Sequence, residues 1–274
     1  MLGEVAIDWT WYSIALAGCA LAFVYGLGLQ NSPSEEDRRR GVHYAASAAY
    51  GLVYGIAVAA AIWTTSRALG IDPDLSAAVE RYDALVNATV EYAMQIAQVS
   101  RDLQLTVLLA PLTNVWVAAS WLSQYCVHAL LFFFAAMGLV AKLMSSAWGA
   151  LLLSVGIAMV AVERLRPIGG PFVSSVCVLT CYSAWVPFTP YAEYVLGGRQ
   201  FYYPGTFPNP GELLRRLFEE ALGQPSLFGA VLEDGAVFAE ALAFYGMTLS
   251  IALVLAAGLS RALGGLATSL SARV

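Results

Sequence analysis

His128 and Glu240 have the most chemistry to offer, because both sit in runs that otherwise carry no charge. An ionisable side chain inside a membrane-spanning run is costly to keep and marks a functional position by default. His128 falls within such a run, whereas Glu240 falls a turn or two from the start of one. Proton-coupled pumps normally need several such groups. A single histidine without a clustered carboxylate or thiolate has no neighbour to work with. The bland reading of His128 is therefore a hydrogen-bonded interior histidine, and the sharp one is a ligand or proton site. Glu240 fits an interfacial ion pair better than a proton relay.

Other reactive residue types do not form a recognisable set. Cys177 and Cys181 share a helix face at i, i+4, but no further ligand stands near them in sequence, and small buried hydrophobes account for them. There is no Walker A string, no GxSxG and no HExxH. The expectation is no enzyme, no cofactor and no metal. What remains is a scatter of uncharged polar residues in the apolar runs. Asn114, Ser120, Gln124 and His128 are the candidate lining of a wide, nearly neutral passage. Weak polar contacts of this kind suit a large polymer better than fixed binding charges would. The competing role for such residues is interhelical hydrogen bonding.

Positioning them falls to helices. Of 274 residues, 59% are hydrophobic and only 12% charged, far below the roughly one quarter usual in soluble domains. Mean hydropathy is +0.67. A formal net charge of −5 argues against a broad nucleic-acid-binding surface. The pattern predicts an all-α polytopic membrane protein with about seven transmembrane helices, at roughly 20 apolar residues per crossing. The expected spans are about residues 9–29, 43–64, 103–121, 125–141, 147–162, 172–194 and 236–260. The N-terminus lacks the basic region of a cleaved signal peptide, so the first span is expected to be retained.

The third and fourth spans divide the run 103–141, which holds no Asp, Glu, Lys or Arg and is too long for one upright crossing. They require a tight turn near Ser123 and Gln124. In the alternative, the first half is re-entrant and the count is six. Arginines in the short loops favour seven. Arg38, Arg39 and Arg40 form the clearest cytoplasmic anchor, and Arg164, Arg166, Arg261 and Arg273 then fall on the same side. The chain is expected in the cytoplasmic membrane, N-terminus outside and C-terminus inside. A turn is expected across Pro167 to Pro171, and a polar extracytoplasmic loop over 197–234, including a short amphipathic helix over 212–220.

The least generic stretch is an amphipathic helix over about 74–100, on the outer side. Leu75, Val79, Tyr82 and Val86 repeat on one face and are the candidate assembly face for copies of the same chain. Membrane lipid and further copies are the expected partners.

This order of parts resembles the TrbL-type polytopic subunit of type IV secretion and conjugation machines, in the archaeal form of the CedA component of DNA import. An outward N-terminus leads into early spans, a long amphipathic outer helix, tightly connected spans and a second outer loop before the last span. The resemblance is one of layout and runs from Trp9 to Ser260. It implies a ring-forming subunit of a DNA-translocation channel, working with a cytoplasmic ATPase and a pilin. Two other classes fit the same composition: a permease or small-molecule transporter subunit, and a membrane scaffold or assembly factor.

Overall fold

A computed structural model describes residues 9–68, 75–106, 109–162, 165–197 and 227–271, with the single positions Gly211 and Arg215. Every described element is helical: α1 Trp9–Gln30, α2 Glu35–Ala68, α3 Leu75–Leu105, α4 Leu112–Ser145, α5 Ala147–Ala161, α6 Arg166–Trp185, a 3-10 turn Val186–Phe188, α7 Pro190–Leu196 and α8 Leu227–Ser271. Five of these contain stretches long and apolar enough to cross a membrane: Tyr12–Gln30, Glu35–Ala60, Leu112–Ser145, Arg166–Phe188 and Leu227–Gly258.

The expected hairpin in 103–141 is wrong. Residues Ser123 and Gln124 lie in the middle of α4, which runs unbroken for 34 residues. Nothing there breaks a helix, and the polar side chains are satisfied along it. Gln124 Nε2 donates to Ser120 Oγ at 3.3 Å, and Ser120 Oγ donates to the Val117 carbonyl at 3.5 Å. The real break is earlier, where tight i→i+3 bonds from Leu109 to Thr106 and from Leu112 to Leu109 surround Pro111.

Three smaller expectations also change. Arg38, Arg39 and Arg40 belong to the first turns of α2 and not to a loop. Glu35, Glu36 and Asp37 start that helix where its dipole favours acids, and Glu35 and Glu36 pair with Arg39 and Arg40 four residues on. Pro167 and Pro171 sit within α6, which begins at Arg166, and the turn comes before them. Pro167 falls in the first helical turn, where its missing N–H has no helical partner, whereas Pro171 lies inside the helix and forfeits one bond to the turn before it. Within the expected loop 197–234, residues 227–234 already belong to α8. The amphipathic segment over 212–220, apart from Arg215, lies outside the described residues, as do Arg164 and Arg273.

The chain forms two compact units. Unit 1 comprises Met1–Val79, Leu139–Trp185 and Leu249–Val274. Its helices approach closely through small residues. Gly26 and Gly41 bring α1 against α2, Gly51 faces Cys19 and Ala161, and Gly156 faces Phe172 and Val173. Helices α2 and α6 run parallel: Ser47 and Tyr50 meet Arg166, and Tyr54 meets Gly170 and Ser174. Arg166 thus lies toward the end of α2 that carries Arg38, Arg39 and Arg40.

Unit 2 comprises Glu80–Gly138 and Val186–Thr248. Here α3 runs antiparallel to α4. Tyr82 packs on Gly138, and Trp116 Nε1 donates to the Ile96 carbonyl at 3.2 Å. The first part of α8 runs parallel to α4, with Phe228 beside Trp116, Gly235 beside Ser123, and Tyr245 beside Phe133 and Phe134. Thr189 caps α7 and shares a 2.7 Å hydrogen bond with Tyr245.

Candidate functional site

Helix α4 carries all four candidate passage residues. Ser120 is buried, Gln124 is half-buried, and Asn114 and His128 are exposed. Ser120 is therefore excluded as a lining residue. His128 shares a 2.6 Å hydrogen bond through Nδ1 with the Gln124 carbonyl one turn back. Its face of the helix follows a strict alternation of steps of four and three. Asn114, Ala118, Trp121, Tyr125, His128, Phe132, Ala135 and Leu139 are all exposed. Trp121 and Tyr125 stack on one another with centroids 6.0 Å apart and planes 19° apart.

The same four–three spacing runs along α3, with the opposite outcome. Leu75, Ala78, Tyr82, Leu85, Thr89, Tyr92, Ile96, Val99 and Leu103 are all buried. The expected assembly face is thereby corrected. Leu75 and Tyr82 are covered within their own chain, and Val79 and Val86 are half-buried beside them. A period of 3.5 specifies an apolar seam, and here the rest of the chain fills it. The anchor arginines Arg38, Arg39 and Arg40 are exposed.

The most developed polar centre is one that the sequence does not single out. Asp234, on α8, is 1% exposed and lies in an apolar stretch long enough to cross a membrane. Its carboxylate accepts from Tyr92 OH on α3 at 2.9 Å and from Tyr194 OH on α7 at 2.5 Å. Tyr92 OH also shares a 3.2 Å bond with Ser123 Oγ on α4. Four helices of unit 2 therefore converge on one acid. Burial, and then the charge of Asp234, push the Tyr92 phenol well above its ordinary value. It remains a donor throughout the physiological range. No ion pair joins Asp234 to a basic group among the described residues. Beside it opens a cleft of about 250 Å³ whose lining includes Glu91, Gln95, Tyr194 and Phe238.

Sequence reasoning missed this centre because its members are far apart in the chain. Asp234 fell just outside the span expected from residue 236. The available signal was the run Leu227 to Phe244, which keeps a helical apolar rhythm straight through Glu233 and Asp234. Among the described residues no three His, Cys, Asp or Glu side chains converge as a metal site.

The fold defines an all-helical protein with the composition and long apolar helices of a multi-pass membrane protein. Comparison of the chain with protein-family models, curated proteins and solved structures finds no match.

Proposed function

We propose that this chain is a multi-pass subunit of an oligomeric membrane conduit of the DNA-import or conjugation class. The observation that carries the reading is the outward face of α4. A helix this apolar presents Asn114, Trp121, Tyr125, His128 and Phe132 together on its uncovered side. Asn and His are costly against hydrocarbon, so such a face needs protein or water over it. Several copies around an axis supply both, and the result is a wall with aromatic rings and no fixed charge before Lys142 in the last turn of α4. Nucleobases stack on aromatic side chains without sequence preference, and a stretch free of cations from Asn114 to Leu139 lets a polyanion slide instead of sticking.

The layout resemblance points the same way. With no nucleotide-binding string in the chain, energy comes from a separate cytoplasmic ATPase, with a pilin as the extracellular partner. The arginine-rich end of α2 faces the cytoplasm, and Arg166 falls toward that same end of unit 1. An odd number of crossings, such as the five long apolar helices, keeps the N-terminus outside and the C-terminus inside.

Native mass spectrometry of the full chain released from lipid nanodiscs tests the reading directly. Defined oligomers are expected, and a strict monomer overturns it. In a strain lacking the native copy, Trp121→Ala with Tyr125→Ala should insert normally and reduce DNA uptake at least about tenfold, given a stacking contribution of roughly 1–3 kcal/mol per base.

A further inference from the structure

From the cleft beside Asp234 we infer that this protein binds a small organic ammonium ion. Three aromatic rings frame the space. Tyr92 stands at 89° to Phe238 with centroids 5.0 Å apart, and Tyr194 stands at 75° to the same ring at 6.2 Å. These are edge-to-face contacts that hold the three rings together along the wall of the cleft, and an aromatic wall beside a carboxylate favours an alkylated ammonium group. The charge of the lining agrees: among the described residues its ionisable groups at neutral pH are the carboxyls of Asp234 and Glu91, with no Lys, Arg or His. Asp234 receives two phenolic hydrogen bonds, which fix its orientation.

Size decides between kinds of cation. A cleft of about 250 Å³ would hold roughly eight waters at about 30 Å³ each. A bare metal ion would rattle in it, and an ammonium carrying several carbons would fill it. Two carboxyl groups repel anions, and a neutral solute of the same shape would leave Asp234 buried without a counter-charge. The site uses none of the exposed residues of α4, so it stands or falls independently of the conduit reading.

The test uses the full chain in lipid nanodiscs, with choline and tetramethylammonium as probes and 3,3-dimethyl-1-butanol as the neutral isostere of choline. Isothermal titration calorimetry should show saturable binding of both cations, and binding of the neutral alcohol at least about tenfold weaker. Asp234→Asn should weaken choline at least about tenfold. Because that change also disturbs the two phenols, two milder variants accompany it. Glu91→Gln, on an exposed position, should cost about two- to fivefold, and Phe238→Leu should remove most of the preference for choline over the alcohol. Equal binding of choline and its isostere, absence of saturable cation binding, or unchanged binding in Glu91→Gln and Phe238→Leu together would each overturn the assignment.

Discussion

The two units of this chain join helices by different means. In unit 1 the closest contacts are made by absence of side chain. A methyl group added at Gly26 would sit 2.5 Å from the backbone nitrogen of Ala45, and one at Gly169 would sit 2.8 Å from that of Val160. In unit 2 the contacts are made by large side chains with polar tips. Tyr92, Tyr194 and Tyr245 reach across to Asp234, Ser123 and Thr189, and Trp116 reaches the Ile96 carbonyl. Both are answers to one problem. Between apolar helices in an apolar solvent the hydrophobic effect contributes little, so association depends on close van der Waals contact or on interhelical hydrogen bonds. Unit 1 leans on the first, with Tyr54 and Arg166 adding hydrogen bonds to Gly170, Ser174 and Ser47, and unit 2 leans on the second, with Gly138 and Gly235 adding close approach. The proposed ligand cleft occurs where the second was used, because polar tips that hold helices apart also leave space between them.

The largest effect is expected from filling the contact in unit 1. At Gly26 the obstacle is backbone, which cannot rotate away. Gly26→Leu should separate α1 from α2 and leave little folded protein in fluorescence-detected size-exclusion chromatography. Gly26→Ala should cost about 1–3 kcal/mol, the usual range for overpacking. In unit 2 the corresponding break is Asp234→Ala. It leaves buried Tyr92 and half-buried Tyr194 without their shared acceptor, at about 1–3 kcal/mol for the first and less for the second. A loss of roughly 2–5 kcal/mol is expected in SDS or urea titration followed by tryptophan fluorescence. If Asp234→Ala is neutral while Gly26→Ala is not, the hydrogen-bonded centre of unit 2 does not hold its helices together.

Much of this was legible beforehand. Helices α1, α2 and α5 follow from apolar runs bounded by charge or proline, and α3 from its heptad spacing. The uncharged run 103–141 misled because its length was treated as a count of crossings. Length fixes how much chain is apolar, but where the chain turns depends on residues that break a helix. Pro111 breaks one, whereas Ser123 and Gln124 bond along it. The α3 repeat was read correctly as a seam and wrongly as a free one, since periodicity identifies a face and says nothing about what covers it. The Asp234 centre was illegible for a related reason. Residues 92, 123, 194 and 234 become neighbours only once α3, α4, α7 and α8 are packed.

A smaller effect separates the units by pH. Tyr92 titrates above its ordinary value near 10 in the folded chain, chiefly through burial and then through Asp234. Below pH about 10 the phenol is protonated whether the chain is folded or unfolded, so the stability it supports is intact. Above that, the unfolded chain releases the proton and the folded chain does not, and stability falls as pH rises. The expected slope from this group is about 1.4 kcal/mol per pH unit. Denaturant midpoints between pH 9 and 11 should therefore fall more steeply in the wild type than in Tyr92→Phe. Parallel curves would mean that the phenol is not held in the protonated form.

The smallest effect tests whether glycine matters in unit 1 for the reason given. A methyl group added at Gly18 or Gly28, both in α1, or at Gly246 in α8, would meet nothing within 4 Å. These glycines carry the conformational cost of their type without the close approach that justifies it at Gly26, Gly51 and Gly169. Ala at such a site gains up to about 1 kcal/mol of helix propensity. Gly18→Ala and Gly246→Ala should therefore leave the midpoint unchanged or raise it slightly, in the same titration where Gly26→Ala lowers it. If all the substitutions lower it alike, the glycines act through helix flexibility and not through contact, and the distinction between the two units loses its physical basis.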